Sequence, residues 1–403
     1  FRRVLFRSAK KERRPAYPTC VKVLNQVNRA FLALNKSLGS NAPEIEVAAE
    51  ALKPVCSRLQ QFLTHLETLE APQGLPAELT QCLFDAHRFL QVFDKLNDDY
   101  ATFVLDSQIN LTVRLACVHP GQQLQEGYAL ADTLIGFSAT LSPKAYYGDL
   151  LGFKTRAQWL KVPSPFAAEK QLTLIATHIP VSFQHRSKAV PDLLSLMKTL
   201  IAGKRGNYLV FFPSYAFLDD VRTAFEAAYP DKALHCQTRD MSDDAVKAFT
   251  DGFTEDSERL GFAVMGGRFA EGIDLKGQRL SGAMIISLGL APKTLAQDAL
   301  LRRMQSKRDS QPAAGAEVEP RPTQTNGYDV AYRIPALQRV IQTGGRVIRS
   351  ENDQGIVLLV DPRFNAQDNQ TYLPEHWQTK IIQSTQELEA NLETFWRSGG
   401  DSA

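Results

Sequence analysis

Between Leu172 and Val360, short apolar runs alternate with longer amphipathic segments, and this alternation constrains the fold more than any other feature of the 403-residue chain. The runs are Leu172 to Ala176, Tyr208 to Phe212, Ala233 to Cys236, Gly261 to Met265, Ala283 to Leu288 and Ile356 to Val360. Apart from Thr173, His235 and Ser287 they are apolar at successive positions rather than at every second residue, the pattern of strands covered on both faces. Ala189 to Ala202, Tyr215 to Ala228, Asp243 to Phe253 and Ile334 to Ile348 carry helical spacing. Strand–helix alternation predicts an α/β domain built on a parallel sheet. Such sheets place their sites beyond the carboxyl ends of the strands, so the residues just past each run are the first candidates.

The first hundred residues follow a different period. Pro18 to Asn97 predicts three helices, with a break at Pro72 to Pro76. His65 and His87 fall among them as packing residues. Ala101 to Leu105 and Leu111 to Val118 predict two strands about a turn. A helix over Gly121 to Ala131 and a further apolar strand over Thr133 to Phe137 follow. Phe1 to Arg14 holds seven basic residues and one acid. It reads as translated adapter DNA or, alternatively, as a basic arm for DNA phosphates. Lys307 to Asn326, rich in Pro, Ala, Gln, Thr and Ser, predicts a disordered surface loop. Beyond it, Tyr328 and Tyr332 are either core or a stacking platform.

Composition narrows the function classes. A formal net charge of +2 creates no strong global field, so any nucleic-acid groove must be local. No apolar run approaches the roughly 18 residues of a membrane span, and the basic opening lacks the apolar core of a signal peptide. The five cysteines are scattered without a C-x-x-C pair, which predicts reduced thiols in a cytoplasmic protein and no metal site made by this chain alone. No carboxylates cluster at the spacing of a metal-dependent nuclease. Arg346 and Arg349, three residues apart, share a face if they lie on a helix. Two guanidinium forks so placed suit a phosphate chain, but a solvated helix face needs the same spacing.

The wider strings carry a resemblance. Gln342-x-x-Gly345-Arg346-x-x-Arg349, followed by a buried strand and Asp361-Pro362-Arg363-Phe364, resembles motif VI of superfamily two helicases, in particular the XPD/DinG branch. Ser138-Ala139-Thr140-Leu141-Ser142-Pro143 is similar to motif III. Gly206 to Tyr215 is similar to motif IV, and Gly266 to Leu275, with Glu271-Gly272-Ile273-Asp274, to motif V. The resemblance spans roughly Tyr100 to Trp377, ending in Tyr372-Leu373-Pro374-Glu375-His376-Trp377.

This resemblance implies a second RecA-like motor domain over 154–391, with a disordered loop at 306–326 and a frayed tail at 392–403. It further implies a helical Arch-like segment over 18–98 and the tail of a first motor domain over 99–153; residues 1–17 stand outside the fold. It assigns Arg346, Arg349 and Gln342 to catalysis, Gly272, Asp274 and Gly345 to ATP binding, and Ser138, Ala139 and Thr140 to coupling. Ser214, Tyr215, Arg268 and Arg186 fall to DNA contacts. The implied parent is a DNA repair or replication helicase, a monomer that uses ATP and Mg2+ and moves 5′ to 3′ on single-stranded or forked DNA.

The chain departs from that pattern in one respect. It contains no G-x-x-x-x-G-K-[ST] string, no Asp-Glu-x-His box and no four-cysteine cluster. The expectation is therefore a C-terminal part that starts after the Walker B box. Most ligands for ATP and Mg2+, and any 4Fe-4S cluster, would lie upstream. The alternative is a non-catalytic nucleic-acid-binding module with a helicase-like fold.

Overall fold

The computed structural model describes residues 18–39, 42–68, 77–106, 111–153, 157–271, 275, 277–309 and 326–398. They fall into two compact units.

The first unit holds Phe1–Asp132, Asp149–Phe153 and Lys293–Arg321. Helices Pro18–Leu38, Lys53–Glu67 and Ala77–Phe93 match the three expected on sequence. Between the first two runs a strand not expected there, β1 (Glu44–Val47). It pairs antiparallel with β2 (Tyr100–Asp106), which pairs with β3 (Leu111–Cys117). Leu59, Phe62, Leu63 and Val104 belong to one core cluster joining the helices to this sheet. Ala101 and Phe103 point the other way and meet Ala299 on the helix Leu295–Asp309. That alternation is the period-2 pleat of a strand with both faces covered. The helix corrects the loop expectation in part: residues 306–309 are its last turn, and 310–325 lie outside the described residues.

The same unit contains a cluster of charges. The buried His119 places Nδ1 3.6 Å from Asp99 and Nε2 3.0 Å from Asp149. Arg303 Nε donates to Asp99 at 2.7 Å, and Lys307 Nζ lies 3.3 Å from Asp149. Burial alone would raise the Asp149 pKa. Hydrogen bonding to His119, with the charges of His119 and Lys307, outweighs it and holds the carboxyl below its ordinary value.

The second unit holds Thr133–Gly148, Lys154–Pro292 and Pro322–Ala403. Its centre is a seven-stranded, wholly parallel sheet: β4 (Gln171–Ala176), β5 (Tyr208–Phe212), β6 (Leu234–Cys236), β7 (Leu260–Val264), β8 (Gly282–Ile286), β9 (Gly355–Val360) and β10 (Lys380–Ile382). The spatial order is β10-β4-β9-β8-β5-β7-β6. Six of the seven strands fall where the apolar runs predict them. The seventh, β10, is a three-residue edge strand, too short for a periodic signal, with Lys380 exposed on it.

Alternation along β5 divides the core in two. Tyr208, Val210 and Phe212 join one cluster, while Leu209 and Phe211 join the other. Each such residue is buried, which stabilises the fold by about 1.5–3 kcal/mol per large side chain. Helices Arg186–Gly203, Tyr215–Ala228 and Thr385–Ser398 supply the first layer. The last of these corrects the frayed-tail expectation: 392–398 is helical, and Leu392 is fully packed against Gly203.

Thr133 to Phe137 is not a strand. It has no regular structure, and Ile135 and Phe137 are 80% and 90% exposed. An apolar run becomes a buried strand only when a neighbouring strand satisfies its backbone groups, and none of the described strands pairs with it.

Candidate functional site

Two edges of the parallel sheet carry the candidate residues. Beyond the carboxyl end of β5, Ser214 is the N-cap of the helix Tyr215–Ala228 and accepts from the Phe217 N–H at 3.4 Å. Its hydroxyl therefore serves the helix first. The Tyr215 hydroxyl accepts from Gln237 Nε2 at 2.8 Å, and the exposed Arg239 lies over the Tyr215 ring, 4.8 Å from its centroid. Gln237 is buried and bridges strands, since its Oε1 accepts from the Val264 N–H at 2.9 Å. Neither Gln237 nor Arg239 carries a motif signature; only their position after the run Ala233 to Cys236 could have pointed to them.

Beyond β7, Gly266 adopts a φ of 68°, a left-handed conformation that a side chain would strain. Arg268 follows on the short helix Arg268–Glu271. Its Nη1 donates to the Met241 carbonyl at 3.0 Å and its Nη2 pairs with Asp243. That ion pair is exposed, so it is weak and exchangeable. Gly272 and Asp274 lie outside the described residues.

Arg186 opens the helix that follows β4. Its guanidinium carbon sits 5.5 Å from the Phe183 ring centroid and 5.2 Å from that of Phe217. Burial, and then the nearby charge of Arg363, lower its pKa.

The motif VI arginines are elsewhere. The helix Ile334–Gly344 stops four residues short of the expected Ile348, with Gly345 as its C-cap. Arg346 and Arg349 therefore do not share a helical face; they occupy the loop that enters β9, on the amino-terminal side of the sheet. Two packing events stop the helix. Gly344 is pressed against Trp377, where a Cβ would lie 2.5 Å from the indole, and Val347 and Ile348 turn into the core. The loop then wraps around Asp353, which is 2% exposed. Its carboxylate accepts from the Arg349 N–H at 2.6 Å, the Ser350 N–H at 2.9 Å and the Ser350 hydroxyl at 2.6 Å. A fourth donor, the Gly277 N–H at 3.1 Å, ties the turn before β8 to the same carboxylate. The sequence reading missed Asp353 because Asn352 to Gly355 looks like an ordinary turn. Gln342 lies half-buried in the helix, and Gly345 is exposed at its end.

The Ser-Ala-Thr segment is near this helix. Ser138 Oγ accepts from the Thr140 N–H at 3.2 Å, and Ala139 is exposed between them. Gln338 Nε2 reaches the carbonyls of Thr140 and Ser142, at 3.4 Å each, and the Tyr147 hydroxyl. Gln338 thus links Ser138 to Tyr147 with the helix that ends in Gly345-Arg346. The tyrosine pair divides: Tyr332 is core, and Tyr328, stacked on it at 5.4 Å, is 42% exposed.

Residues 197–380 match the helicase C-terminal domain family. This span is just under half of the chain, and the chain as a whole is similar to XPD-type and chl1-type helicases. The matched span contains strands β5 to β9 of the parallel sheet. Its relatives include a probable ATP-dependent helicase of Methanocaldococcus jannaschii, 27% identical over 61% of this chain and 37% of that protein. The ATP-dependent DNA helicase chl1 of Aspergillus clavatus is 23% identical over 80% of this chain and 48% of its own. The XPD helicase subunit of the general transcription and DNA repair factor IIH of Arabidopsis thaliana is 22% identical, over 86% and 45% respectively. The chain thus spans about half or less of the length of these relatives. In fold it is similar to Xpd4 of S. tokodaii, with a TM-score of 0.57 and 16% identity over 94% of this chain and 69% of that one.

Among the described residues, no group of three or more His, Cys, Asp or Glu side chains is placed to hold a metal ion. No described helix is long and apolar enough to cross a membrane.

Proposed function

We propose that this chain is the second motor half of an ATP-dependent DNA helicase that acts on single-stranded or forked DNA as a monomer, with Arg346 and Arg349 as its arginine fingers. The observation that carries the reading is the Asp353 carboxylate, which holds the backbone of Arg349 and Ser350 and the Gly277 turn in one geometry. A guanidinium stabilises a transferring phosphoryl group only if it is positioned before the charge develops. A loop organised around a buried carboxylate meets that requirement better than a solvated helix end. The chain's share of an ATP site would be this loop, with Gln342 and Gly345 beside it and Gly272 and Asp274 after β7. ATP with Mg2+ would supply the phosphoryl group and the energy of domain closure. The chain's own residues orient the phosphates, while Ser214, Tyr215, Arg268 and Arg186 face the nucleic acid. Gln338 would couple the two through Ser138, Ala139 and Thr140. In this reading 18–98 is an Arch-like segment, 99–153 belongs with a first motor domain, and translocation runs 5′ to 3′. A 4Fe-4S cluster, where present, and the P-loop belong to another part of the parent.

The 403 residues include no P-loop string. The expected result is that the purified chain shows no DNA-stimulated ATPase. Joined to a P-loop-bearing motor half it should hydrolyse ATP, and Arg346→Ala should abolish turnover while sparing binding to single-stranded DNA. Unchanged turnover in that variant removes Arg346 from the catalytic role. The same lack of a P-loop favours one other reading, a nucleic-acid-binding module without catalysis. Failure of every P-loop partner to restore ATPase would select it.

A further inference from the structure

The helix Leu295–Asp309 is not packed where its place in the sequence suggests. It follows β8 and precedes the helix Ile334–Gly344, both in the second unit, yet it belongs to the first. Pro292 on one side, and the chain from 326 on the other, return to the second unit. An isolated helix of this length is marginal in water, so what it rests on decides whether it persists.

Apolar contact is the smaller part of its support. Within 295–307 only Ala299 is buried. It meets Ala101 and Phe103, with Leu295 and Ala296 partly buried beside it. A methyl group contributes a fraction of what a buried leucine or phenylalanine would. Cations supply the rest. Arg302, Arg303 and Lys307 continue the face that Ala299 opens, at spacings of three and four residues. Each meets a different carboxylate. Arg302 pairs with Glu46 on β1, Arg303 Nε donates to Asp99 beside the start of β2 at 2.7 Å, and Lys307 Nζ lies 3.3 Å from Asp149. Buried His119 stands between the last two carboxylates, with both ring nitrogens 3.1 Å from Lys307 Nζ. Asp99 is buried, whereas the other two pairs are open to solvent.

We propose that the helix Leu295–Asp309 is a strap lent by the second unit to the first, held by its three cation–carboxylate pairs and released by ionic strength while both units stay folded. The Debye length falls from about 10 Å at 0.1 M salt to about 3 Å at 1 M, which screens pairs that face solvent and leaves apolar contacts in place. A helix seated on leucines would hold under the same change. This one carries its attachment in charges. Each pair of this kind multiplies the closed population by about 1.4–5-fold, so three together amount to about tenfold. Release turns the stretch between β8 and the helix Ile334–Gly344 from a fixed connection into a slack one. The inference stands apart from the catalytic reading, and its failure leaves that reading untouched.

The test is hydrogen exchange of the full chain, read by mass spectrometry of its peptides in 0.1 M and 1 M sodium chloride. Peptides within 295–309 should exchange about tenfold faster at 1 M, with those of β5, β8 and β9 unchanged as the internal reference. Arg303→Gln should speed exchange of the helix severalfold at 0.1 M and shrink its salt ratio, because one pair is already gone. Arg303→Lys keeps the charge and should restore most of both. Should Arg303→Gln unfold the first unit, the salt series on the unsubstituted chain still decides. Helix exchange that is equal or slower at 1 M means apolar seating and overturns the proposal. A rise shared equally by the helix and β8 means general loosening and overturns it as well. So does an Arg303→Gln chain that folds and keeps the original exchange rate and salt ratio.

Discussion

Asp353→Ala removes the acceptor at the centre of the motif VI loop. Four donors converge on that carboxylate: two N–H groups and a hydroxyl from Arg349 and Ser350, and the N–H of Gly277, all between 2.6 and 3.1 Å. A hydrogen bond to a charged group contributes about 1.5–3 kcal/mol. The four are not additive, because the exposed side of the loop regains water when the acceptor is lost. The least recoverable are the Arg349 N–H, at 2.6 Å, and the Gly277 N–H on the neighbouring turn. Two bonds of this kind give a loss of about 3–6 kcal/mol. For a unit of this size that lowers the melting temperature by about 6–24 °C. Urea unfolding followed by tryptophan fluorescence reads it directly, since Trp377 packs on Gly344 at the other end of the loop. Asp353→Asn keeps one carbonyl acceptor and should lose about half as much. A melting temperature for Asp353→Ala within 1–2 °C of the original, or an Asn variant worse than the Ala variant, would falsify the view that this carboxylate organises the loop.

Two further outcomes follow from the geometry. Gly344→Ala places a methyl group 2.5 Å from the Trp377 indole and 3.3 Å from Val357, both in the core. Overpacking of this kind should cost about 1–3 kcal/mol, read as a lower urea midpoint with an unchanged slope; a neutral substitution would mean that Trp377 moves freely. In the first unit, the depressed Asp149 carboxyl contributes stability that is present above its unfolded pKa and is lost as pH falls through the lower folded value. Asp149→Asn should therefore destabilise the chain at pH 6 and converge with the original below pH 3 in denaturant titrations; a gap independent of pH would show that the contact is not ionic.

Legibility in the sequence varied with the kind of signal. Tyr208 to Phe212 and Ile356 to Val360 were readable as strands because burial on both faces leaves an uninterrupted apolar run. The helix Tyr215–Ala228 was readable to the residue because a serine caps it and one face is apolar. The end of the helix Ile334–Gly344 was not readable. Helical periodicity continues through Val347 and Ile348, but those two residues are drawn into the core by contacts with distant strands. The consequence reaches the candidate site, since it takes Arg346 and Arg349 off a common face and onto a loop. Thr133 to Phe137 was misread for the converse reason: an apolar run predicts a strand only if a partner strand is at hand.

The sequence by itself determined the α/β class and the positions along the chain of six of the seven parallel strands, because these depend on local periodicity. Only the tertiary structure decided which side chains meet. Asp353 with Gly277, Gln338 with Thr140 and Arg363 with Ser287 are separated by 76, 198 and 76 positions along the chain. Contacts at such separations leave no periodic trace. They exist because the sheet brings strand ends together regardless of their order in the sequence, and because buried polar groups must find partners wherever the fold supplies them.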